Sequence, residues 1–222
     1  MAVSAARQAL LDAGLGTPDE SPSGIALGTM TAGVRTLRDF LAPTLEEGPE
    51  GASPMLFPFT VPNSPASQCS ILLGLDGPNL TISQMEASGL AAIATAAALV
   101  GDGGSDVMVA GGVDEWVDEY DRAWARMRLT HRGDPGAFPG PFGRKRRGFV
   151  PGEGAYLVVL ESFERAARRG AVAWAEIAGE AMTHAPGPAH AWPSKPEAMA
   201  EAIAAATSRA RLRPEEIGYV AA

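Results

Sequence analysis

The chain has 222 residues, 46% of them hydrophobic and 20% charged, with a formal net charge of −8. That length suits one large or two small domains, and the apolar content suits a buried core and argues against a disordered chain. The acidic balance argues against nucleic acid or an anionic membrane as main partner, the single cysteine excludes an internal disulfide, and no basic-then-apolar leader opens the sequence, so a cytoplasmic location is expected.

In chain order, the pattern predicts a helix over Ser4–Ala13 closed by Gly14, a short strand over Gly24–Gly28 and a helix over Val34–Leu45. The Glu46–Ser53 stretch, rich in Gly, Pro and Glu, reads as a surface loop. A helix from Asn63, its plausible N-cap, to Leu73 follows. Next comes the most informative stretch, a strand over 79–83, a sharp turn, a helix over 88–100 and a strand over 106–111. Strand, tight turn and helix is where α/β enzymes often mount a nucleophile, because a helix N-terminus favours negative charge. The residue at this turn is Glu86.

The helix after it, Ser88 to Val100, carries no charge and is mostly Ala, Leu, Ile and Val. A helix apolar all round is expected to be buried on every side, between sheets, and it is too short to span a bilayer. Strands 79–83 and 106–111 are expected to be neighbours. Beyond them a helix over Glu115–Met127 is predicted, then a long loop, Thr130–Arg147, with three prolines and four glycines. Strand 153–160, helix 161–169 capped by Gly170, strand 172–179, a Pro-rich crossing at Pro186–Pro196, helix 197–210 and a last strand from Ile217 complete the pattern.

Three segments carry a resemblance. Gly77, Pro78, Ile82, Ser88, Gly89, Asp106, Ala110, Gly111 and Gly112 match in register the pattern G-P-x-x-x-I-x-x-x-C-x-S-G followed by D-x-x-x-A-G-G. Residues 146–155, Arg-Arg-Gly-Phe-Val-Pro-Gly-Glu-Gly-Ala, resemble R-D-G-F-V-x-G-E-G-A, with Arg147 in place of Asp. Ala175–Gly179 is similar to A-E-I-x-G. These are motifs of the β-ketoacyl-ACP synthase family, and the chain resembles the middle of such a synthase.

The resemblance implies a thiolase-like layered α/β/α fold, with the N-terminal half over residues 1–170, its opening strand missing, and the beginning of the C-terminal half over 171–222. It implies an acyl carrier protein and an active ketosynthase subunit, or a second copy, as partners. It implies no cofactor and no metal. The family's catalytic cysteine falls on Glu86, and the Ile217–Ala222 segment resembles the strand that leads into the family's A-H-G-T motif. Chain-length factors, the inactive partners of polyketide ketosynthases, commonly carry Gln at this position, and Glu is its near-isostere. The implied role is therefore a non-condensing partner subunit. A malonyl-ACP decarboxylase-like ketosynthase and an inactive synthase fragment are the alternatives.

The other candidates read more plainly. Cys69, among Ile71, Leu72 and Leu73, reads as buried and inert. His131, His184 and His190 show no metal-ligand spacing. Glu153, in the Gly152–Ala155 turn, reads as a hydrogen-bond anchor. Arg144, Lys145 and Arg146, in the only dense basic run, read either as a solvated loop or as a contact for an acidic carrier protein.

Overall fold

The computed structural model describes residues 1–16, 23–140, 143–145, 147–187 and 195–221. They divide into two compact units, Met1–Ala171 and Val172–Ala222.

The first unit is built on one mixed sheet. Strands β1 (Ser23–Gly28), β2 (Asn79–Ile82), β3 (Val107–Asp114) and β4 (Gly154–Glu161) lie in the order β2-β1-β3-β4. Strand β1 runs parallel to both its neighbours, and β4 returns antiparallel to β3. Alternation along β1 sends its side chains to opposite faces. Ile25 and Leu27 meet α1 (Ala2–Asp12) and α3 (Ser64–Leu73) through Ala6, Leu10, Ala66 and Cys69. Ala26, with Met108 and Ala110, meets Ala92 and Ala96 of α4 (Ser88–Gly101). The result is a three-layered α/β/α unit, as the sequence motifs imply.

The strand order overturns one expectation. Segments 79–83 and 106–111 are not neighbours, because β1 lies between them and bonds to both. Sequence proximity says nothing about pairing in a parallel sheet, where every connection crosses over. A second correction concerns α4. Its buried stripe is Ser88, Ala91, Ala92 and Ala96, while Leu90 on another side is 76% exposed. The sheet covers one side of the helix, and among the described residues no second sheet covers the other.

Two predicted strands, 172–179 and 217–222, are not strands in the described residues. A strand exists only in a ladder, and neither segment has a described strand beside it. The second unit instead holds α7 (Glu197–Arg209), with Arg209 donating to the Glu180 carboxylate at 2.7 Å. The remaining helices are α2 (Val34–Glu47), α5 (Asp118–Arg126) and α6 (Phe163–Arg168). Asn63 precedes α3, but its side chain makes no cap hydrogen bond. Gly170, in the left-handed region, closes α6 as expected, and the Ser162 hydroxyl caps the start of that helix by accepting the Arg165 N–H. Much of the Pro186–Pro196 crossing lies outside the described residues. No described helix is long and apolar enough to cross a membrane.

Candidate functional site

Strands β1, β2 and β3 all end on the same side of the sheet, and the chain turns there into the residues that carry the chemistry. After β2 the turn Gln84–Ala87 leads into α4. Met85 sits at φ 52°, a left-handed conformation uncommon outside glycine. Ser88 cinches the turn: its hydroxyl donates to the Met85 carbonyl at 2.6 Å and accepts the Gln84 N–H at 2.8 Å. The Ala87 N–H closes onto the Gln84 carbonyl at 3.1 Å. Glu86 is thereby held exposed at the tip, just before a 14-residue helix. The expected elbow geometry is present, with a carboxylate at its apex.

Close backbone approach places that turn. A Cβ on Gly28 would lie 2.1 Å from the Ser88 carbonyl group, and one on Gly89 would lie 3.3 Å from the Gly112 Cα. The first turn of α4 therefore rests directly on the ends of β1 and β3, and at Gly28 the approach leaves no room for a Cβ.

A partly buried carboxylate fixes the neighbouring loop. Asp114 Oδ1, at the end of β3, accepts the Met30 N–H at 2.8 Å and the Thr31 N–H at 2.7 Å. The Thr29 and Thr31 hydroxyls lie 2.9 Å from the same oxygen. The Thr29 N–H in turn donates to the Ile82 carbonyl at 2.9 Å. Asp114 thus reaches, through the β1 loop, the strand that ends in the Glu86 turn. Sequence reading missed this group. The signal was a carboxylate directly after an apolar Gly-Gly strand, and its partners lie more than 80 residues earlier.

Glu153 is an anchor, as expected: its carboxylate accepts the Trp116 N–H at 3.0 Å. At the next peptide the Arg35 guanidinium donates to the Trp116 carbonyl, and it lies 3.5 Å from the Glu115 carboxylate. The α2 helix and the loop before β4 are so tied to one residue, Trp116, of the β3–α5 connection.

The remaining candidates lie elsewhere. His131 sits against the Phe138 ring, centroids 5.3 Å apart, with Nδ1 3.3 Å from the Arg147 carbonyl. His184 is exposed in the second unit, and His190 lies outside the described residues. Among the described residues no group of three His, Cys, Asp or Glu could hold a metal. Arg144 and Lys145 are exposed in a turn, and Arg146 lies outside the described residues.

Cys69 is fully buried in α3 against the sheet. Burial pushes its thiol up from 9.0 to about 11. An unfolded chain ionises this thiol first, so it holds fewer protons than the folded chain between those two values. Stability is therefore expected to fall as pH rises from about 9 to about 11. Denaturation midpoints across that range should show the slope in the natural chain and a shallower one in Cys69→Ala. Equal slopes would remove Cys69 as the cause.

The beta-ketoacyl synthase N-terminal domain model matches residues 1–166. The 3-oxoacyl-[acyl-carrier-protein] synthase 2 of Vibrio cholerae is 36% identical over 226 aligned positions, covering 98% of this chain and 54% of that protein. A type II PKS acyl-carrier protein in complex with its ketosynthase bound to the hexaketide superposes with a TM-score of 0.86 at 26% identity, covering 98% of this chain and 56% of that one. The ishigamide ketosynthase/chain length factor gives 0.82 at 27%, covering 97% and 53%. The chain spans about half the length of the proteins it matches.

Proposed function

The chain belongs to the beta-ketoacyl synthase family, through its N-terminal domain, and from that premise we propose that it is a non-condensing, chain-length-factor-like partner of an active ketosynthase in fatty acid or polyketide biosynthesis. The observation that carries the reading is Glu86 at the apex of the elbow, where the family's motif has cysteine.

The chemistry follows from that side chain. A condensing enzyme needs a thiolate that accepts an acyl group and later releases it to a carbanion. A carboxylate attacking a thioester would give a mixed anhydride, which water destroys. A negative charge at this turn would also repel a malonyl group. Transfer and condensation through Glu86 are both disfavoured.

The fold offers a face for the partner. Strand β2 ends the sheet, and among the described residues nothing pairs with its outer edge. Beside it, Ile71 and Leu72 of α3 are exposed. An open edge flanked by apolar side chains is normally covered. A cysteine-bearing ketosynthase, or a second copy of this chain, is the occupant this reading names. The ishigamide ketosynthase/chain length factor, with which the chain shares its fold, makes the pairing reasonable.

The test is intact-mass and peptide analysis after incubation with acyl-ACP or acyl-CoA. No acyl adduct is expected on Glu86 or Cys69, and Glu86→Cys alone is expected to give no condensation product. Co-expression with a cysteine-bearing ketosynthase from the same genomic neighbourhood should yield a co-purifying complex. An acyl-enzyme on Glu86, or a stable monomer that binds no such synthase, would overturn the reading.

A further inference from the structure

We draw no further inference here: the strongest candidate, the leucine-lined pocket between α1 and the end of α3 with Arg7 and Leu72 among its walls, is bounded by Gly16 and Ser23, and the residues joining these two lie outside the described ones, so nothing in the structure shows what covers it.

Discussion

Gly28→Ala is expected to destabilise the chain by about 3 kcal/mol, the upper end of what an overpacked site usually costs. The added methyl would lie 2.1 Å from the Ser88 carbonyl carbon and oxygen and 2.4 Å from the Gly89 nitrogen. All of these are backbone atoms, so no side chain can swing aside. The first turn of α4 cannot retreat along the sheet either, because Gly89 is already seated close to Gly112. The helix must lift, and with it the Met85–Glu86 turn that Ser88 holds. For a chain of this size the loss corresponds to a midpoint about 10 °C lower. Gly101→Ala, at the other end of the same helix, meets nothing within 4 Å and is expected to be neutral or to stabilise by up to about 1 kcal/mol. Urea denaturation of both variants decides the matter. Similar midpoints would show that α4 is not seated on the sheet as described.

That contrast shows what the amino-acid pattern carries and what it withholds. The charge-free run from Ser88 specifies a helix, and the apolar run from Val107 specifies a strand, though the strand continues through Gly111-Gly112 to Asp114 and does not end there. Which strand lies beside which is a non-local matter. Nothing in residues 79–83 or 106–111 announces that Gly24–Gly28 will lie between them. The apolar run of α4 also overstates its burial within this chain, because hydrophobicity reports a demand for cover and not its supply. The 172–179 segment has β-forming residues but no described partner strand, and composition alone cannot provide one. Glu86 was legible because its neighbours match in register. Asp114 was not, because a carboxylate at a strand end ordinarily points to water, and its role depends on a Thr-x-Thr loop remote in sequence.

Asp114→Ala is therefore the second substitution with a large expected effect, a loss of about 3–5 kcal/mol. One carboxylate oxygen accepts two backbone N–H groups, and two threonine hydroxyls lie at hydrogen-bonding distance from it. Thr29 and Thr31 are both buried, so water cannot replace the acceptor without opening the loop. A hydrogen bond to a charged group contributes about 1.5–3 kcal/mol, and each buried donor left unmatched costs about 1–3 kcal/mol. The upper sum is not reached, because the Met30–Thr31 loop can relax toward solvent. Asp114→Asn keeps an oxygen at the same place and loses only the charge, so it should cost about 1–2 kcal/mol. The ordering Ala worse than Asn, by denaturant midpoint at neutral pH, is the readout. The substitution should also loosen the end of β2, because Thr29 joins the loop to the Ile82 carbonyl. Hydrogen exchange at residues 82–88 should accelerate in the Ala variant and stay near natural rates in Asn. If Asp114→Ala were as stable as the natural chain, with protection at the Glu86 turn unchanged, the carboxylate would not be what holds these loops together.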